Sequence, residues 1–123
     1  MTEQKEKILL VGTQGPEAAE RCYAPFVVGT TAQVSDVEAN VFLMMDGVVL
    51  AMEGAAKKVS APGFPPLEEL MTDFVEEGGK IYVCSNSQEF RKINPKKLVK
   101  GSEIAGAAAL VDLILDHDRT VWV

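Results

Sequence analysis

The chain has 123 residues, 47% of them hydrophobic, and a formal net charge of −6 at pH 7. That length accommodates one core and one domain over residues 1–123, and the acidic balance excludes wholesale nucleic-acid binding, which needs a dominant basic surface. Cys22 and Cys84 lack the paired spacing of a disulfide framework or a zinc ribbon, and no run approaches the roughly 18 apolar residues of a membrane span.

The charged start, Met1 to Lys7, has neither the apolar stretch nor the cleavage site of a signal peptide, so a reduced, cytoplasmic setting is expected. Ile8 to Val11 form an apolar run with β-branched ends, closed by Gly12-Thr13-Gln14-Gly15-Pro16, and read as strand, loop and helix start. The helix is expected from about Pro16 to Ala32, with Pro25 and Gly29 dividing or kinking it. Val37 to Met45 read as a second strand, which delivers Asp46-Gly47 to its carboxyl end.

Val48 to Lys58 carry apolar residues and alanines at helical spacing, up to the break at Ala61-Pro62-Gly63-Phe64-Pro65-Pro66. Leu67, Leu70, Met71, Phe74 and Val75 fall on one helical face and the acidic residues Glu68 to Glu77 largely on the other, as a solvated surface; Gly78-Gly79 end that helix. Lys80 to Cys84 form a third strand, Ser87 to Ile93 a short helix, and Pro95 to Val99 a further turn. Ile104 to Leu115 read as one strongly apolar helix and Thr120 to Val123 as a last strand. Strands alternating with helices predict a three-layer α/β domain, flavodoxin-like, with a mostly parallel sheet of four or five strands. A helix apolar nearly all round implies a subunit partner, because a chain this short has little material to cover it.

In a parallel sheet, ligands gather beyond the carboxyl ends of the strands, where the N–H groups of the following helices point at them. Three strand ends then share one rim, bringing together Cys84, the donors Thr13, Ser85 and Asn86, and the Asp46-Gly47 pair. The thiolate is the nucleophilic form of cysteine, and a helix start favours it, so Cys84 is the candidate catalytic residue. The competing reading is a buried, inert cysteine. His117, the one histidine, lies before the last strand and so on the opposite rim; it reads as a solvated loop residue rather than a base for Cys84. The Gly12–Gly15 turn is neither a Walker loop nor a dinucleotide fingerprint. No metal and no cofactor is expected.

Arg91, Lys92, Lys96, Lys97 and Lys100 form a basic cluster directly after the cysteine helix. It would draw an anionic sulfur compound, an acidic carrier protein or RNA toward Cys84, with Lys92 and Lys96 as contacts, or is simply a solvated face. Cys22 reads as core, beside Tyr23, Phe26 and Val27.

Taken in order, Met45-Asp46-Gly47-Val48, Lys80-Ile81-Tyr82-Val83-Cys84 and Gly101-Ser102-Glu103-Ile104-Ala105-Gly106-Ala107-Ala108-Ala109-Leu110-Val111-Asp112 resemble the DsrE/DsrF-like (DsrE/DsrF/TusD) sulfur-relay family over nearly the whole chain. The resemblance implies a flavodoxin-like fold, assembly as trimers or hexamers, and a persulfide on Cys84 that is taken from a sulfur donor and handed to an acceptor, in tRNA thiolation or sulfur oxidation. Two other readings stand beside it: a non-catalytic oligomeric module binding an anion or partner at the same rim, and a thiol redox protein in which Cys22 resolves an oxidised Cys84.

Overall fold

The structure, a computed structural model, describes residues 5–123. The charged stretch at Met1–Gln4 lies outside the described residues. Five strands, β1 (Lys7–Gly12), β2 (Glu38–Leu43), β3 (Ile81–Cys84), β4 (Ser102–Ala105) and β5 (Arg119–Trp122), form one sheet in the order β4-β3-β2-β1-β5. Every neighbouring pair is parallel. Four α-helices, α1 (Ala24–Val34), α2 (Leu67–Glu76), α3 (Ser85–Phe90) and α4 (Ala107–Asp116), make the outer layers. The three-layer, flavodoxin-like α/β architecture expected from the alternation of elements is present.

Paired residues in a parallel ladder point to the same face, so the register sorts the side chains. Leu10 faces α1, since a Cβ built on Gly29 of that helix would lie 3.4 Å from its side chain. α1 and α2 pack on that face through Phe26 and Phe74, whose rings meet edge to face at 5.7 Å. Asn40, Phe42 and Tyr82 alternate with that set and face α4, where the Phe42 and Tyr82 rings stack at 6.3 Å. Cys84, two residues beyond Tyr82, shares the α4 face.

Four expected elements differ. Pro16 to Glu20 form turns, a 3-10 turn follows at Arg21–Tyr23, and the helix proper begins at Ala24 with Pro25 in its first turn. There the missing proline N–H costs no hydrogen bond, so Pro25 starts the helix instead of breaking it. The helix expected over Val48 to Lys58 is replaced by two 3-10 segments, Met45–Ala51 and Ala56–Lys58; Gly54 between them, at φ 84°, takes a left-handed conformation incompatible with a continuous helix. The helix after β3 starts at Ser85 and ends at Phe90. Most consequential, Ser102–Ala105 is an edge strand and the helix begins only after Gly106.

His117 is also not the solvated loop residue expected: it is 8% exposed. Its Nδ1–H donates to Leu113 O (2.6 Å), and its Nε2 accepts from Asn40 Nδ2 (2.9 Å). The Asn40 amide is oriented by Lys80 N–H, which donates to its Oδ1 (3.1 Å). These bonds orient the imidazole and tie the end of α4 to the amino-terminal half of β2, on the rim opposite Cys84.

On that rim Lys7 pairs with Asp116, and Lys7 N–H donates to Asp118 Oδ2 (2.7 Å). The pair holds the Asp116 carboxyl below its usual range and the Lys7 ammonium above its own. A depressed carboxyl contributes stability above its unfolded pKa, about 4, and loses it as pH falls through the folded value; the raised Lys7 loses its share only above about pH 10. Asp116→Asn should therefore lower the melting temperature slightly at pH 7 and leave it unchanged near pH 2, which melting curves across that range check.

Candidate functional site

Cys84 ends β3 and is the N-cap of α3, with φ −59° and ψ 122°. Its ladder partner is Ala105, the last residue of β4. The chain turns there through Gly106, extended at φ −92° and ψ −174°, into the first turn of α4. Two helices thus begin side by side on the carboxyl rim next to one thiol. A Cβ added to Gly106 would lie 3.3 Å from Ser85 Oγ, which measures how closely the two starts approach. Neither start has a side-chain cap, so the first N–H groups of each helix lack intrahelical partners and favour negative charge. The sequence reading missed α4's contribution: Gly106, Ala107 and Ala108 belong to the site, and the glycine inside the apolar run was the available signal.

Cys84 is 8% exposed. The residue is buried at the border of the core, as the competing expectation had it, and only an edge of it meets solvent, which admits a small sulfur species rather than a bulky electrophile. Cys22 differs in every respect. It is 1% exposed, its Sγ donates to Ala19 O (3.3 Å), and burial pushes its thiol pKa up. It also precedes α1 on the other side of the sheet, with the Tyr23 ring beside it against Phe64.

The remaining expected residues divide into those brought to the rim and those kept away. Thr13 follows β1 on the rim, half-buried, its hydroxyl accepting from Gln14 Nε2 at 3.5 Å. Ser85 is half-buried and Asn86 exposed in the first turn of α3; neither side chain enters a hydrogen bond among the described residues. Asp46 and Gly47 are on the rim but already occupied. Arg91 Nη2 donates to Asp46 Oδ1 (2.6 Å), and Ser87 Oγ accepts from Met45 N–H (2.8 Å). α3 thereby clamps the 45–47 turn.

That turn seats against the loop after β1. A Cβ on Gly47 would stand 2.5 Å from Gly12 O, and one on Gly15 would stand 2.6 Å from Asp46 O. The Gly12–Gly15 loop is therefore filled by backbone and offers no open phosphate cradle. Lys92, at φ 55°, lies past the far end of α3, and Lys96 in the 3-10 turn Pro95–Lys97 beyond it. Both are exposed, at the end of α3 opposite Cys84, and neither makes an ion pair among the described residues. Met45 and Phe90 are large apolar side chains left in solvent on the turn and helix that flank Cys84.

The model of the DsrE/DsrF-like family matches residues 6–123. The chain belongs to the DsrE/DsrF-like family. Among curated relatives, this DsrE/DsrF-like chain is 40% identical over 119 residues to the uncharacterized protein MJ0760 of Methanocaldococcus jannaschii, matching 96% of its own length and 43% of that protein's. It is 28% identical over 116 residues to MJ0989 of the same organism, covering 94% of this chain and 97% of that one. Among solved structures, the ychN protein from E. coli superposes with a TM-score of 0.78 at 21% identity, over 96% of this chain and 99% of that one. MTH1491 from Methanobacterium thermoautotrophicum superposes with a TM-score of 0.70 at 12% identity, over 98% and 100%. Those two likenesses establish the fold of this DsrE/DsrF-like protein. No helix among the described residues is long and apolar enough to cross a membrane.

Proposed function

We propose that this DsrE/DsrF-like protein is a cytoplasmic sulfur carrier that holds sulfane sulfur as a persulfide on Cys84. The observation that carries the reading is the position of that thiol, at a strand end between two uncapped helix starts; membership of a family associated with sulfur relay agrees with it. The Cys84 thiol gives its proton to solvent, and the thiolate attacks the outer sulfur of a sulfane donor such as thiosulfate or a polysulfide. A Cys84 S–S bond forms as the donor's S–S bond breaks, and sulfite or the shortened polysulfide leaves with the electron pair. The product, Cys84–S–S⁻, carries its charge beside the first N–H groups of α3 and α4. Attack of an acceptor thiolate on the outer sulfur then passes that sulfur on and restores Cys84. Neither step requires an oxidant, a metal or a general base.

Donor and acceptor are small sulfane-sulfur compounds or proteins. A protein partner would lie along α3 from the thiol outward: exposed Met45 near the thiol and Phe90 at the far end of α3 provide apolar contact, and Lys92, Lys96 and Lys97, also at that far end, provide positive potential in an otherwise acidic molecule. Direct nucleic-acid binding is not part of the proposal. Incubation with thiosulfate or polysulfide should add one sulfur, about 32 Da, to the intact mass, reversibly on reduction. Protein that gains no sulfur under these conditions contradicts the proposal.

The redox alternative is disfavoured by the position of Cys22, buried across the sheet from Cys84. We also propose a homo-oligomer, a trimer or hexamer, joined through α4 and β5. Val111 and Leu115 on α4 and Val121 and Trp122 on β5 are exposed, a run of large apolar groups that a soluble monomer seldom displays. Leu115→Asp, at a position 79% exposed in the single chain, should convert the assembly to monomers with little change in the fold. Sedimentation velocity and far-UV circular dichroism check this together.

A further inference from the structure

A cavity of about 390 Å³ lies away from Cys84, on the face of the sheet covered by α1 and α2. Its apolar walls are Met52, Ala56, Met71, Val75, Ile81 and Val99, drawn from the residue that follows the first 3-10 segment, the second 3-10 segment, α2, the first residue of β3 and the segment before β4. Ile81, Ala56 and Met71 are buried, so the floor is built into the core. The size is that of a small-molecule site, and such sites are characteristically apolar with a few polar groups at the edge.

The mouth has an uneven charge. Glu68, Thr72 and Glu76 line it from one face of α2, spaced over two turns or about 12 Å. Lys100 lines it opposite. Gly101, at φ 87°, backs onto Val75, where an added Cβ would stand 2.5 Å from Val75 Cγ1. Lys100, the residue before it, lines the cavity beside that contact. Glu68, at the other end, makes no ion pair among the described residues, and the lining groups sum to one net negative charge. Two thioethers in the walls, Met52 and Met71, adapt to shape and make favourable contacts with aromatic edges.

We propose that this cavity is a second ligand site, independent of Cys84, for a small arylalkylamine whose ring enters between Met52 and Met71 and whose ammonium faces Glu68. The pairing of an apolar, sulfur-lined floor with a carboxylate-rich mouth is what selects this chemistry over an arylalkyl acid. Such a ligand would also bridge α2 and the 99–101 segment, which approach each other at Val75 and Gly101.

The test uses phenethylamine, 2-phenylethanol and 3-phenylpropanoate as probes, by calorimetry and by nuclear magnetic resonance of the methionine methyl groups. Phenethylamine should bind with a dissociation constant on the order of 1 mM or tighter, as expected for so few heavy atoms, and shift the Met52 and Met71 methyl signals. The alcohol should bind more weakly and the acid more weakly still. Glu68→Gln should weaken the amine about fivefold, the loss of one exposed charge pair, and leave the alcohol unchanged. Met71→Trp, which fills the cavity, should abolish binding of all three; Thr72→Trp at the exposed mouth serves if that protein fails to fold. Sulfur loading at Cys84 should be the same with and without the amine, so failure here is distinct from failure of the carrier reading. No binding by phenethylamine, equal binding by the acid, or binding that survives occlusion would each overturn the proposal.

Discussion

Cys84→Ala should reduce sulfane-sulfur loading from one sulfur per chain to background, while Cys22→Ala should leave it intact. The contrast follows from placement. Cys84 is 8% exposed at a strand end where helix N–H groups converge, whereas Cys22 is 1% exposed in the core with its thiol pKa raised by burial. A thiol that is both inaccessible and protonated does not compete as a nucleophile. Removing the Cys84 sulfur deletes a mostly buried group, with a stability cost on the order of 1 kcal/mol, so the variant should fold and the loss should be chemical. Loading is read as intact mass after exposure to polysulfide, with melting temperature recorded in parallel. Equal loading of both variants would mean that neither thiol is the specific carrier.

Phe74→Ala should have the largest effect on stability, about 3–5 kcal/mol and a fall in melting temperature of roughly 10 °C or more. Phe74 is fully buried and meets Phe26 edge to face. Its ring also occupies the space above two glycines: a Cβ on Gly29 would lie 2.7 Å from it, and one on Gly79 would run into it. Truncation leaves a ring-sized void bordered on two sides by glycines, which have no side chains to move into it. The void cannot collapse without bringing α1 and α2 closer to the sheet, which the existing packing resists. Thermal unfolding by circular dichroism measures this; a fall of only a few degrees would mean that the helices relax inward.

Much of the frame was legible because it is local. β1, β2 and β3 appear as short apolar runs closed by turn residues, and α2 as an amphipathic stretch ended by Gly78-Gly79. The carboxyl-rim location of Cys84 followed from the expectation of a parallel sheet. β4 was hidden because Ile104-Ala105 run into Ala107 to Leu115 without a polar break, and only pairing with β3 makes those four residues a strand. That one misreading concealed the second helix start at the site.

Long-range polar pairing was equally invisible. His117 finds Asn40 across 77 positions, and Arg91 finds Asp46 across 45. Sequence reading placed the first in solvent and left the carboxylate of the second free to serve the site. The basic cluster was legible as charge, but which end of α3 it occupies was set by where that helix starts. The fold brings Thr13, Asp46, Gly47, Ser85 and Asn86 to the rim with Cys84 and leaves Lys92 and Lys96 at the opposite end of the helix.

The carrier reading is tested most directly by locating the added sulfur in the wild-type protein. After loading with polysulfide, alkylation and tryptic digestion, Cys84 falls in the peptide from Ile81 to Arg91, and Cys22 in the peptide from Cys22 to Lys57. The account requires one extra sulfur, about 32 Da, on the Ile81–Arg91 peptide, and its removal when an acceptor thiol is added before alkylation. Extra sulfur on the Cys22 peptide, or on neither, would contradict it.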